Sequence, residues 1–104
     1  MSQKSFEVKE LLDYAAKAAY SGVTGSPRLD RSQVNKLIEL LESIPESTDK
    51  QAPVNVTRAF IARQVSRGEI PRQTGQILEE VLSQLKEDKA KAREFLGFFK
   101  WLFD

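Results

Sequence analysis

The stretch that decides the fold is residues 53–68, PVNVTRAFIARQVSRG. It begins with Pro53, which the first turn of a helix accepts because the missing N–H would have no intrahelical partner there. It ends with Gly68, the residue type that most easily takes the left-handed backbone after a last turn. The sequence therefore predicts a helix between these two residues.

This predicted helix is apolar on two sides. At about 100° per residue, Val54, Ile61 and Val65 fall on one side. Val56 and Phe60 fall on nearly the opposite side. A helix with two apolar sides is typical of one that other helices surround, so we expect it at the centre of the bundle.

The same helix carries Arg58, Arg63 and Arg67. Arg58 projects close to the side of Ile61, whereas Arg63 and Arg67 are four residues apart and share the other flank. A buried unpaired cation is costly, so these guanidiniums require anionic partners. Two alternatives stay open at this point: salt bridges to the protein's own carboxylates, or contacts to the phosphates of a ligand or nucleic acid.

Two further helices are predicted on the N-terminal side. Residues 5–20 carry apolar side chains at helical spacing, with Ser5 as the predicted cap, and the glycines and proline of residues 21–29 predict a loop. Asp30 then begins a second helix, and Gln33 follows three residues later with the spacing of a capping box. The buried stripe of this helix is predicted at Val34, Leu37, Ile38 and Leu41.

Two helices are also predicted on the C-terminal side. Pro71 opens the first and Asp88 caps the second, which has four of the six phenylalanines and the only tryptophan in its last ten residues. At helical spacing and mixed with leucine, these aromatic residues are expected in the core rather than stacked on bases. The apolar run as a whole is expected to be buried against the rest of the domain or against a partner. The buried side of the first is predicted at Thr74, Ile77, Leu78, Val81, Leu82 and Leu85.

The predicted fold class is all-α, a single compact bundle of about five helices over residues 1–104. No segment alternates polar and apolar residues for long enough to predict a strand. A length of 104 residues suits one domain, and a composition of 40% hydrophobic and 30% charged residues is typical of a folded chain. No apolar run approaches the roughly 20 residues that cross a membrane, and no signal-peptide segment is visible. We expect a cytoplasmic protein without membrane contact.

The sequence offers little for catalysis. It has no cysteine and no histidine, which removes thiolate ligands, the commonest general base and the commonest nitrogen ligand of metals. No glycine-rich phosphate loop occurs. The carboxylate pairs Glu79/Glu80 and Glu87/Asp88 are adjacent in sequence, so on a helix they diverge by about 100°. We therefore predict no catalytic residue, no metal site and no cofactor.

Charge is concentrated around the central helix. The chain has 16 basic and 15 acidic residues, a net charge of +1. Within residues 53–76, however, four arginines (58, 63, 67 and 72) face Glu69 as the only acid. This pattern is typical of a phosphate-binding groove or of an interface with an acidic neighbour. The residues alone predict a small helical bundle that binds a partner.

Three segments resemble the small subunit of Csm-type (type III-A) CRISPR–Cas effector complexes. Residues 30–41, DRSQVNKLIELL, resemble the Ser/Thr-led helix of that family. Residues 57–68, TRAFIARQVSRG, look like its central arginine helix. Residues 75–103 are similar to its closing pair of helices, which end in an aromatic run. The resemblance covers residues 30–103 in the right order.

Individual residues match this family in part. Arg58 and Arg67 stand at its two arginine positions, and Gln64 also fits. Asn35 stands where the family usually has arginine, which leaves Lys36 as the basic residue of that helix. The small subunit of the related Cmr-type complex is also all-helical and fits the pattern equally.

The resemblance implies a non-catalytic subunit of an RNA-guided antiviral assembly. Several copies would stack along the guide–target duplex, contacting the target RNA backbone, each other and neighbouring subunits. The expected RNA-binding residues are Arg58, Arg63 and Arg67 of the central helix. Lys36 and Arg31 are added because they lie off the apolar stripe of a helix whose first turn is capped.

Two other functions fit the residues without this resemblance. The alanine-rich first helix and the aromatic C-terminal helix are compatible with an adaptor or dimerisation module that binds no nucleic acid. A helix-turn-helix DNA-binding protein fits less well. The turn at residues 67–71 is suitable, but the helix after it presents Glu79 and Glu80 rather than base-reading side chains.

Overall fold

Five α-helices account for most of the chain. The computed structural model describes residues 6–47 and 49–104, and within them it contains no strand. The prediction of an all-α bundle is confirmed. The helices are α1 (Val8–Thr24), α2 (Arg31–Ser43), α3 (Ala52–Ser66), α4 (Arg72–Leu82) and α5 (Lys89–Phe103).

The parallel pair α1 and α5 forms the body of the bundle. At the start of both helices the Lys91 ammonium donates a hydrogen bond of 3.0 Å to the carbonyl oxygen of Phe6. At their ends, a Cβ added to Gly22 would lie 3.3 Å from the ring of Phe103. Phe95 and Phe99 of α5 are fully buried between these two points, where small α1 residues allow close approach. The core therefore lies against α5, which packs on α1, α2 and α3.

The expectation that α3 lies at the centre is wrong. Its buried side holds Val54, Thr57 and Ile61, but Val56 on the opposite side is 43% exposed and Phe60 is half-buried. Its main neighbours are α2 on one flank and α4 on the other. Because none of the five described helices covers the remaining side, Val56, Arg63 and Arg67 are exposed there.

Both ends of α1 differ from their prediction. Ser5, the predicted cap, lies outside the described residues, and α1 begins at Val8 with Glu7 at the N-cap position. At the other end the helix continues to Thr24, into the predicted loop at 21–29, because the Ser21 hydroxyl shares a buried hydrogen bond of 2.7 Å with Thr74 of α4. A tertiary contact thus extends α1 by one turn beyond the end that the local composition predicts.

Two of the predicted helix caps are confirmed. The Asp30 carboxylate accepts a hydrogen bond of 2.9 Å from the N–H of Ser32, and the Asp88 carboxylate accepts one of 2.9 Å from the N–H of Lys91. The second half of the predicted capping box is not formed, since the side chain of Gln33 is buried against α3 instead.

α3 and α4 form a tight antiparallel hairpin. Gly68 has a φ of 77°, the left-handed conformation predicted for it, and Pro71 precedes the first turn of α4. A Cβ added to Gly75 would lie only 2.5 Å from the Val65 Cγ2, so the two helices meet closely at this glycine. The predicted buried side of α4 is confirmed, with Ile77 half-buried and the other five residues buried.

The aromatic run of α5 is only partly in the core. Phe95 and Phe99 are fully buried, as predicted. Trp101, however, is 70% exposed and Leu102 is 39% exposed, so the expectation of a core position is wrong for them. They lie on the outer side of α5, which the neighbouring helices do not cover.

Candidate nucleic-acid interface

Arg58 and Arg63 of α3 and Arg67 at its C-cap are divided between the two sides of this helix. At about 100° per residue, Arg58 is separated by about 140° from Arg63 and by about 180° from Arg67. Arg58 lines a groove between α3 and α4, which we call the α3–α4 groove. The residues of this groove used below are Arg58, Ala59, Ala62, Arg72, Gly75 and Glu79.

Arg58 is paired with the protein's own carboxylate. Its Nε donates a hydrogen bond of 3.0 Å to the Glu79 Oε1, its Nη2 contacts the Glu79 Oε2, and its Nη1 donates one of 2.9 Å to the Asn55 Oδ1. The hydrogen bond to Glu79 raises the pKa of the Arg58 guanidinium, while partial burial opposes this shift. These bonds use three of the five N–H groups of the guanidinium, and the side chain is 28% exposed.

Arg63 and Arg67 lie on the uncovered side of α3. Both side chains are exposed, and neither guanidinium has a hydrogen bond or ion pair to another described residue. With Val56 and Phe60 they follow the spacing i, i+4, i+7, i+11, which places all four on one stripe of the helix. Two cations and two apolar side chains therefore share a solvent-facing stripe.

Lys36 of α2 lies beside this stripe. It lines a shallow depression of about 340 Å³ between α2 and α3, together with Phe60, Leu40 and Glu39. Lys36 is exposed and is not paired with any described residue. We use the name α2–α3 surface for Lys36, Phe60, Arg63 and Arg67. Within the depression Lys36 is accompanied by Glu39, so the positive excess of the α2–α3 surface comes from Arg63 and Arg67 beside it.

Arg31 lies at the first turn of α2. Its Nε is 3.1 Å from the Asp104 Oδ1, and the two side chains are 67% and 38% exposed. An exposed pair of this kind contributes little to stability and is screened by salt. Arg31 can therefore exchange its partner for a phosphate at small cost, although its charge is balanced in the free protein.

Gln64 has a structural role rather than a surface role. Its Nε2 donates a hydrogen bond of 2.8 Å to the Oε1 of Gln33, and both side chains are buried. This bond joins α2 to α3 directly beneath the α2–α3 surface.

Arg72 is the residue that the sequence-based site omitted. It was counted in the basic stretch but not predicted to bind, yet it lines the α3–α4 groove together with Arg58. The side chain is exposed and makes no ion pair with any described residue. The available signal was its position directly after Pro71, since a cation in the first turn of a helix opposes the helix dipole.

The described part of the chain contains no group of three or more acidic side chains that could hold a metal ion. None of its helices combines the length and the apolar character needed to cross a membrane. Comparison of the chain with protein-family models, with curated proteins and with solved structures found no match.

Proposed function

We propose that this protein is a non-catalytic RNA-binding helical bundle, which contacts the RNA backbone through its α2–α3 surface. The observation that carries the proposal is the set of three exposed cations, Lys36, Arg63 and Arg67, which have no acidic partner among the described residues. Guanidiniums bind phosphate in a bidentate manner without reading sequence, and an adjacent aromatic ring gives a base a surface for stacking.

The resemblance to the Csm-type small subunit extends this proposal to a biological setting. In an RNA-guided assembly, base pairing reads the sequence and the protein binds the backbone. A subunit with a net charge of +1 suits several weak contacts made by stacked copies better than tight solitary binding. Arg58 and Arg31 remain predicted contacts of second rank, because each already has a carboxylate partner.

The decisive experiment removes the three free cations together. In the triple variant Lys36→Ala, Arg63→Ala, Arg67→Ala, we expect weaker binding to single-stranded RNAs of unrelated sequence, by a similar factor for each. The salt dependence of binding should fall by about two in log–log slope, since each phosphate contact on a single strand contributes about 0.7.

The matched control removes three exposed lysines elsewhere, in the variant Lys9→Ala, Lys50→Ala, Lys86→Ala. It carries the same change in net charge, so RNA affinity that depends only on overall charge falls equally in both variants. An equal fall would refute a defined α2–α3 surface. Circular dichroism establishes that each variant is folded.

A second candidate function is supported by the exposed aromatic side chains. Tyr20 of α1 is 71% exposed and Trp101 of α5 is 70% exposed, on two helices that lie side by side. Large exposed aromatic side chains are suited to packing against a protein partner, which fits a dimerisation module. Sedimentation analysis separates the two functions: a dimer without RNA affinity at low salt, converted to a monomer by Trp101→Ser but not by Val56→Ser, favours the dimerisation module.

A further inference from the structure

The α3–α4 groove is a second concave surface, and it lies on the opposite side of α3 from the α2–α3 surface. Its volume is about 630 Å³, within the range of roughly 300–1,000 Å³ found for ligand sites. Ala59 and Ala62 are exposed on the α3 wall, where their short side chains leave the groove open. Gly75 on the α4 wall closes the floor against Val65.

The two ends of the groove differ in charge. Arg72 and Glu79 are seven residues apart on α4, which separates them by about 10 Å along the helix. At the end of the groove where Glu79 lies, the ion pair with Arg58 neutralises the carboxylate. At the other end Arg72 is exposed and unpaired among the described residues, in a first turn of α4 that contains no acid. The groove therefore combines an apolar middle with one uncompensated positive charge.

We propose that the α3–α4 groove binds an amphipathic monocarboxylate. Its apolar chain lies along Ala59, Ala62 and Gly75, and its carboxylate pairs with the guanidinium of Arg72. A single uncompensated cation is balanced by a monoanion rather than by a phosphate dianion. Because the charge of Glu79 is neutralised by Arg58, the carboxylate is favoured at the Arg72 end and the apolar chain extends toward Glu79.

The probe for this site is octanoate, used below its micelle concentration with the intact chain. We expect it to shift the backbone amide NMR signals of Ala62 and Gly75, and to leave the amide of Lys36 in α2 unchanged. Across hexanoate, octanoate and decanoate, affinity should rise by about fourfold per methylene until the groove is filled. Octylamine, which has the same chain and the opposite charge, should bind more weakly than octanoate.

Two variants test the separate parts of the site. Arg72→Gln should weaken octanoate by about tenfold, as expected for a lost charged hydrogen bond, and leave the affinity for 1-octanol unchanged. Ala62→Leu should weaken both compounds, because the larger side chain fills the groove. Arg63→Gln is the matched control, since it removes the same charge from the other side of α3 and should change neither affinity.

The proposal is overturned if octanoate causes no shift at these amides, if it binds wild type and Arg72→Gln equally, or if affinity is independent of chain length. The site is independent of the proposed RNA contact, because the two tests use different faces of α3. Loss of RNA binding in the triple variant with unchanged octanoate affinity would support both.

Discussion

The two flanks of α3 are joined to their neighbours by different kinds of interaction. On the α2 flank, Gln64 and Gln33 share a hydrogen bond between neutral, buried side chains. On the α4 flank, Arg58 and Glu79 form an ion pair whose side chains are 28% and 47% exposed. The contact between the two glutamines involves no charge, so the nearby Arg63 stays unpaired among the described residues. The contact with Glu79, in contrast, neutralises Arg58.

This difference explains why three arginines of one helix are not equivalent. Arg58 extends along α4, where Glu79 is within reach, so its charge contributes to the hairpin. Arg63 and Arg67 lie on the α2 side, where α3 is joined to α2 by the hydrogen bond between Gln64 and Gln33 rather than by an ion pair. Their charge is therefore not neutralised by this contact. The neighbour of each flank, rather than the residue type, decides which arginine is paired with a carboxylate and which stays exposed.

The largest expected effect concerns the close contact on the α4 flank. Gly75→Ala places a methyl group 2.5 Å from the Val65 Cγ2, and the branched Val65 side chain has no long stem to swing aside. We expect a loss of about 3 kcal/mol in the free energy of unfolding, measured by urea denaturation, at the upper end of overpacking costs. Gly97→Ala is the control, because its Cβ meets only the flexible end of Arg93. Equal stability of the two variants would show that α4 is not held at this glycine.

A smaller effect is expected on the α2 flank. Gln64→Ala leaves the buried carbonyl oxygen of Gln33 without its donor, which we expect to lower the free energy of unfolding by about 2 kcal/mol. The loss should be the same at low and high salt, because the contact is neutral. The double variant Gln33→Leu, Gln64→Leu should recover most of the stability. If the double variant does not recover stability, the two amides contribute more than the hydrogen bond between them.

The ion pair of the α4 flank should matter less and should depend on salt. We expect Arg58→Ala to cost about 1 kcal/mol in low salt, since the pair is partly exposed, and less as the salt concentration rises. Arg63→Ala should change stability by less than about 0.5 kcal/mol while weakening RNA binding. Thermal unfolding at two salt concentrations measures the first effect and RNA titration the second. If Arg58→Ala weakens RNA binding more than Arg63→Ala, the contrast between the flanks fails.

The smallest effect is a pH dependence at the start of α2. The hydrogen bond from Ser32 lowers the pKa of Asp30 below its ordinary value of 3.8. Because the folded pKa is the lower one, the stabilisation is complete above 3.8 and is lost as the pH falls through the folded value. Asp30→Asn keeps a good cap without a titrating charge, so its melting temperature should fall less than that of wild type between pH 5 and pH 2. Parallel curves for the two proteins would exclude this contribution.

Local backbone chemistry explains the parts of the fold that the sequence predicted. Asp30 and Asp88 mark helix starts because a carboxylate satisfies the free N–H groups of a first turn. Gly68 marks a helix end because it adopts a positive φ without a steric cost. Each of these interactions joins groups no more than four residues apart in the sequence. They can therefore be predicted without knowing which helices pack together.

The sequence by itself therefore determined the fold class, the helices, most of their buried sides and the presence of a basic stretch in residues 53–76. Tertiary structure alone decided that the core lies against α5 rather than around α3, that Ser21 joins Thr74 across 53 residues, and that Arg58 meets Glu79 across 21 residues. The physical reason is that helix periodicity fixes the direction of a side chain around its own axis but not the element it faces. Whether an arginine has a structural role or is available to a ligand can be decided only when its neighbour is known.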